Sequence, residues 1–238
     1  MISARRAEQP AGSQLQFAPL GDQAVLAYLP DEPAAVRFAA AVRAANSPWL
    51  HDVVPAYASV GVFFDADAIT GPAVRQWLTD LASDPAADAA RLASTPRVHR
   101  IPVCYEMQLD TARVARVTGL SADEIVRLHT SIEFTVYAIG FVPGFPYLGY
   151  LPEPLCGVPR LESPRVRVEP GSVGLTGKQT GIYPLPRPGG WNLIGRTPLT
   201  IVDVPDDFFP VRVGDRVRFE RIDEAEYQRL EGTRLGVG

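Results

Sequence analysis

Lysine is almost missing from this chain: 22 arginines stand against a single lysine, Lys178. Cysteine and histidine are as scarce, with Cys104 and Cys156, and with His51, His99 and His129 far apart. Neither set falls in a metal-ligating or CxxC spacing and no HExxH stretch occurs, which excludes the common zinc motifs and a disulfide-built scaffold. Two free thiols and no metal site are the reading. No apolar run approaches the roughly 20 residues needed to span a bilayer, and the opening MISARRAEQPAGSQ has no apolar stretch behind its arginines, unlike a secretory signal. A net charge of −4 gives no general attraction for nucleic acid or anionic membrane. The composition that remains, 46% hydrophobic and 21% charged, is that of an ordinary globular protein, expected in the cytoplasm.

Glycine and proline, by contrast, are concentrated. The 59 residues from Gly140 to Pro198 hold 11 of the 20 glycines and 11 of the 23 prolines, so this segment is neither long helix nor ordinary sheet interior. Phe141, Phe145, Tyr147, Leu148, Tyr183, Trp191 and Ile194 are threaded through it, which a disordered linker would not carry. It folds as short strands and bends. Ordering so much irregular backbone costs entropy, and such segments are commonly functional surfaces.

Along the chain, residues 1–14 read as a flexible tail. Leu15 to Ala18 and Ala24 to Leu29 read as strands around a Gly21-Asp22 turn. Asp31 and Pro33 open a helix to about Ala45, with Val36, Ala39, Ala40 and Val42 inward. Strands at His51 to Pro55 and Ala58 to Phe64 follow, then a helix opened by Thr70 and Pro72 with Val74, Trp77, Leu78 and Leu81 on one face. The order β-β-α-β-β-α predicts a two-layer α+β domain over 15–83. The Ala/Asp/Ser-rich stretch 84–96 reads as a linker. Over 97–238 the pattern is mainly β: an edge strand at Val98 to Tyr105, a helix from Asp110 to Gly119 with Val114 and Val117 inward, and a helix capped by Ser121 and Glu124 that carries Ile125, Leu128 and His129. Strands at Phe134 to Ile139, Leu199 to Val204 and Arg212 to Glu220 complete a barrel or sandwich.

Residues 171–180, GSVGLTGKQT, invite comparison with a phosphate-binding P-loop, which fails: five residues separate Gly171 from Gly177, Gln179 replaces the metal-binding Ser or Thr, and Pro184 and Pro186 forbid the helix that must follow. The stretch is either a pair of glycine-dependent turns or a looser anion cradle beside Lys178. Between Val158 and Arg196, six cations (Arg160, Arg165, Arg167, Lys178, Arg187, Arg196) face two acids (Glu162, Glu169), a local +4 that suits a carboxylate or phosphate ligand. The other reading is strand-end arginines paired with acids further along. Keeping one lysine where arginine serves elsewhere suggests a place for a compact ammonium. His129, near a helix end, is either a general base or a helix-terminal cation.

LHTS at 128–131, IGFVPGFPYLGYLP at 139–152, the run from Val158 to Pro198 and VGDRVRF at 213–219 resemble the B-subunit of bacterial 5-oxoprolinase, a family also called KipI-like or allophanate hydrolase subunit 1. The resemblance covers about Leu15 to Ile222. It implies a cyclophilin-like barrel after the small N-terminal domain. It also implies a component of an ATP-dependent enzyme, with Mg, that opens 5-oxoproline to glutamate together with a cyclophilin-like C-subunit and an A-subunit. Lys178 and His129 are then the candidate catalytic residues, and Arg160, Arg165, Ser172, Gln179, Tyr183 and Arg196 the candidate ligands for substrate carboxylate or nucleotide. The family's longer Gly-rich loop is replaced here by Cys104 to Asp110. Competing readings are an inhibitor of sensor histidine kinases, a protein related to urea amidolyase, and a prolyl isomerase by analogy of fold, which confers no function by itself.

Overall fold

The computed structural model describes residues 15–83 and 96–236. They belong to two compact units divided near residue 94. The tail at 1–14 and all but the last residue of the linker at 84–96 lie outside the described residues.

The first unit runs β1 (Gln16–Pro19), β2 (Ala24–Tyr28), α1 (Glu32–Ala44), β3 (Leu50–Ala56), β4 (Ser59–Phe64) and α2 (Gly71–Ser83). Its strands pair antiparallel in the order β1-β2-β4-β3. The Asp31 carboxylate accepts the Ala34 N–H at 2.7 Å and starts α1. The helix buries Ala35, Phe38, Ala39, Ala41 and Val42, whereas Val36 and Ala40 are only half-buried. Phe38, the largest apolar side chain of α1, takes the core position and turns the expected stripe around the helix. Val74 and Leu78 of α2 are buried, and Trp77 meets Trp49 edge-on with ring centroids 5.0 Å apart.

The second unit contains β5 (Val98–Cys104), α3 (Thr111–Thr118), α4 (Ala122–Thr130), β6 (Glu133–Ile139), β7 (Pro146–Gly149), β8 (Arg165–Val168), β9 (Ser172–Thr176), β10 (Gln179–Ile182), β11 (Arg187–Gly189), β12 (Asn192–Arg196), β13 (Arg216–Ile222) and α5 (Glu224–Leu230). Seven of its strands close a barrel in the order β6-β13-β5-β12-β9-β10-β7, with β7 returning to β6. β5 and β13 run parallel, from Val98 opposite Arg216 to Cys104 opposite Ile222. β8 and β11 form a separate two-stranded ribbon. The barrel is filled by side chains such as Ile101, Val136, Leu175, Ile194, Val217 and Phe219.

Local signals set the helix ends. Ser121 and Glu124 form a reciprocal capping box, and Gly119 takes the left-handed conformation (φ 75°) that ends α3. β5 pairs with β13 throughout, and its other side meets β12 only where Cys104 faces Arg196, so most of that side is the unpaired edge that Pro102 requires. Two expectations are corrected. Residues 199–204 alternate like a strand but make only isolated bridges, at Thr200 and Asp203. Val117, expected inward, is exposed. A helix capped by Asp223 follows β13, in a stretch that the sequence pattern does not assign.

Candidate functional site

The Gly/Pro-rich segment supplies β7 to β12, all three to five residues long. GSVGLTGKQT folds as the β9–β10 hairpin, with Gly177 and Lys178 as its two-residue turn. Its donors are occupied: Gly171 N bonds Tyr183 O at 2.7 Å, Ser172 N bonds Glu169 O at 3.2 Å, and Gly177 N bonds Val158 O at 2.7 Å. Gly171 (φ 81°) lies so close to Thr197 that a Cβ would stand 2.3 Å from its carbonyl oxygen. This is structural glycine packed in a barrel wall, and the backbone does not fit a phosphate cradle. Lys178 is exposed at the turn, its carbonyl accepting the Leu151 N–H at 2.9 Å, and Gln179 is half-buried beside it.

Ser172 and Tyr183 occupy the opposite end of that hairpin, joined by a 2.9 Å backbone bond. Tyr183 is 2% exposed and belongs to an aromatic cluster centred on Phe145, whose ring centroid lies 5.1 Å from Tyr183, 5.4 Å from Trp191 and 4.9 Å from Tyr147. Exposed Phe141 packs edge-on against Phe145. The Tyr183 hydroxyl rests on Gly189, where a Cβ would stand 2.5 Å away, and Gly189 pairs with Arg165 across the β8–β11 ribbon. Burial raises the Tyr183 hydroxyl above the usual phenol range; a hydrogen bond with the Trp191 backbone and the charges of Arg160 and Arg165 pull against it. Burial likewise raises Tyr147, again opposed by Arg160. Gly189 thus brings Arg165 of the ribbon next to Tyr183 of the aromatic cluster, and the Arg160 charge acts on both Tyr147 and Tyr183.

Arg165 is held by Asp110, whose Oδ1 accepts from Nη2 at 2.7 Å. Nη1 of the same guanidinium is buried without a partner. Asp110 and Asn192, which fix Arg165 and the backbone before Arg160, are residues that sequence reading misses. Asp110 looks like the N-cap of α3 and makes no such cap, and Asn192 looks like a strand residue. The sole sequence signal is a polar residue flanked by apolar ones (Leu109, and Trp191 with Leu193).

The other candidates lie apart. Arg196 donates through Nε to Pro170 O at 3.0 Å, pinning the turn before β9. His129 is fully buried among Phe134, Phe219 and Tyr105. Its Nδ1 meets the Tyr105 hydroxyl at 2.7 Å and its Nε2 meets Thr180 Oγ1 at 2.9 Å, while Thr180 donates onward to Gly174 O at 3.0 Å. With the Thr180 proton so committed, His129 carries its hydrogen on Nε2, and Tyr105 donates to Nδ1. Burial drives the His129 pKa down to about 3. A neutral imidazole with both nitrogens engaged and no solvent access is arranged to hold the barrel, not to take a proton from a substrate. A cavity of about 200 Å³ between residues 105–108 and α4, lined by Tyr105, Thr111 and Val126 and walled by Arg221 with Glu106 and Asp123, contains none of the predicted site residues. Both cysteines are free. Among the described residues, no group of three His, Cys, Asp or Glu could hold a metal, and no helix is long and apolar enough to cross a membrane.

Residues 15–208 match the family described as carboxyltransferase domain, subdomain C and D. The chain is 38% identical over 198 residues to the 5-oxoprolinase B-subunit of Bacillus subtilis (strain 168), covering 76% of this chain and 79% of that protein. It superposes on the crystal structure of TTHA0988 with a TM-score of 0.72 at 34% identity, covering 84% of this chain and 40% of that one, so it spans two fifths of that protein's length. The Kluyveromyces lactis urea carboxylase shares the fold, with a TM-score of 0.69 at 18% identity over 91% of this chain and 22% of that one.

Proposed function

The chain belongs to the family of 5-oxoprolinase B-subunits, and from that premise we propose that it is one component of an ATP-dependent amidohydrolase whose substrate is 5-oxoproline, the lactam of glutamate. The observation that carries this reading is the Arg165 guanidinium, held by Asp110 with one N–H left over, on a ribbon whose Gly189 packs against Tyr183 of the aromatic cluster. 5-Oxoproline has one carboxylate, the group that a guanidinium with a spare N–H recognises.

Opening that lactam consumes one water and breaks one C–N bond, leaving the amine and a second carboxylate of glutamate. A five-membered lactam resists water, which is why the reaction is coupled to ATP. The backbone N–H groups of 171–177 are spent inside the fold, so the nucleotide with its Mg is assigned to the partner C- and A-subunits, with the exposed Lys178 ammonium as this chain's contribution. The barrel is taken as cyclophilin-like, and 15–83 and 97–238 as separate domains.

The test is 5-oxoproline-dependent ATP hydrolysis by the purified chain, alone and with the C- and A-subunits. Turnover is expected only in the mixture; its absence from every mixture overturns the reading. In the complete complex Lys178→Arg should keep the fold and lose most turnover, and a near wild-type rate removes Lys178 from the reaction.

A further inference from the structure

Asp110 stands where α3 begins, yet no N–H of that helix bonds to its side chain. Asp110 is 7% exposed, and its carboxylate reaches far along the chain instead: Oδ2 accepts Leu193 N and Oδ1 accepts Arg165 Nη2, both at 2.7 Å. Asp110 N returns the bond to Leu193 O at 2.9 Å, so the residue is locked to β12 from both sides. Beside it, fully buried Asn192 accepts from Arg113 Nε at 2.9 Å and donates to Pro159 O at 3.0 Å, fixing the chain just before Arg160. Two buried polar side chains thus hold the Arg165 guanidinium and the backbone just before Arg160. The arrangement is complete except at one atom, Arg165 Nη1, buried and without a partner. A buried cationic donor left unpaired is costly, and an oxyanion is the group that completes it.

We propose that Arg165 Nη1 donates to the carboxylate oxygen of the bound ligand and that Asp110 is the positioning residue that aims it, so that the site takes small carboxylates and rejects their uncharged counterparts. This rests on reading the cluster as the carboxylate-binding part of the substrate site, and not on which carboxylate is the substrate. In Asp110→Asn the amide oxygen can still serve Leu193 N, but its NH2 then faces a guanidinium that is itself a donor, and the guanidinium loses its orientation.

The experiment titrates the purified chain with acetate, 5-oxoproline and the uncharged lactam 2-pyrrolidinone, following the Arg165 side-chain N–H resonance, assigned by its loss in Arg165→Lys. Both carboxylates should shift it and 2-pyrrolidinone should bind at least about tenfold more weakly than 5-oxoproline, the scale of one charge-assisted hydrogen bond. Asp110→Asn should lose about tenfold in carboxylate affinity with 2-pyrrolidinone affinity unchanged and the Leu193 amide still protected from hydrogen exchange, a split that a merely structural role would not produce. If that variant fails to fold, Arg165→Lys carries the test through loss of the carboxylate preference. No response to either carboxylate, an equal response to 2-pyrrolidinone, or unchanged carboxylate affinity in the variants overturns the proposal. Carboxylate binding at Arg165 with no 5-oxoproline turnover in any mixture would sink the 5-oxoprolinase reading alone; turnover indifferent to Arg165→Lys would sink this proposal alone.

Discussion

His129 and Asp110 are both buried polar residues of the barrel unit, each at the end of a helix and each bonded to distant strands, yet the circuits they belong to finish differently. The chain from Tyr105 through His129 and Thr180 ends on Gly174 O with every donor and acceptor engaged. The chain from Leu193 through Asp110 to Arg165 ends on a donor with nothing to give to. A closed polar circuit fixes one packing of a core, whereas an open one leaves a donor that a ligand or an ordered water can complete. By that criterion the residue whose type most suggests catalysis belongs to the scaffold, and a residue that looks like a helix cap belongs to the site.

The comparison is broken most directly at His129. His129→Ala strands the Tyr105 hydroxyl and leaves a cavity among aromatic rings, and should cost about 3 kcal/mol or more in denaturant unfolding; a loss below about 1 kcal/mol would mean the circuit is not structural. The same residue sharpens the comparison through pH. Its folded pKa, about 3, lies below the ordinary histidine value, so between about pH 6.5 and 3 the unfolded chain binds a proton that the folded one refuses. The contribution is full above pH 6.5 and falls with decreasing pH by about 1.4 kcal/mol per unit. Unfolding free energies of wild type and His129→Gln, compared across that window, should converge as the pH drops, and parallel curves would refute a neutral buried imidazole.

On the open circuit, Gly189→Ala places a methyl group 2.5 Å from the Tyr183 hydroxyl. It should cost about 1–3 kcal/mol of stability and weaken carboxylate binding, and wild-type values for both would show that Tyr183 does not depend on that contact. The smallest effect belongs to Lys178, exposed at its hairpin turn. Lys178→Ala should change stability by less than about 0.5 kcal/mol, so a larger loss in thermal unfolding would reveal a structural role for it.

What is legible in the sequence is local. The Ser121 capping box, the Asp31 cap, the Gly119 stop and the Val74/Leu78 face each involve residues within one or two turns, where side chain and backbone meet whatever the rest of the chain does. The clustering of Arg160, Arg165 and Tyr183 within one Gly/Pro-rich segment is legible as a charge excess, though not as a geometry. Asp110 is not legible, because its partners are 55 and 83 residues away and its type and place are those of an ordinary N-cap. Lys178 stands out through its rarity, which says nothing of where a hairpin turn points. The helix at 224–230 is masked by the strand-like alternation before it, although Asp223 accepting the Glu226 N–H is an ordinary helix start.

The parallel pairing of β5 with β13 has a consequence for the making of the protein. The first strand of the barrel unit and its last lie side by side over their full lengths, and β13 also borders β6, so one strand bridges the seam. Until residue 222 has left the ribosome, β5 and β6 have no common neighbour and their apolar inner faces, with Ile101, Phe134 and Val136, stay uncovered. Closure of so long a loop is an entropic barrier that comes late and delays folding. Closing the barrel therefore waits for its last strand, and shortening the chain before β13 should unseat β5 and β6 as well as remove the strand itself.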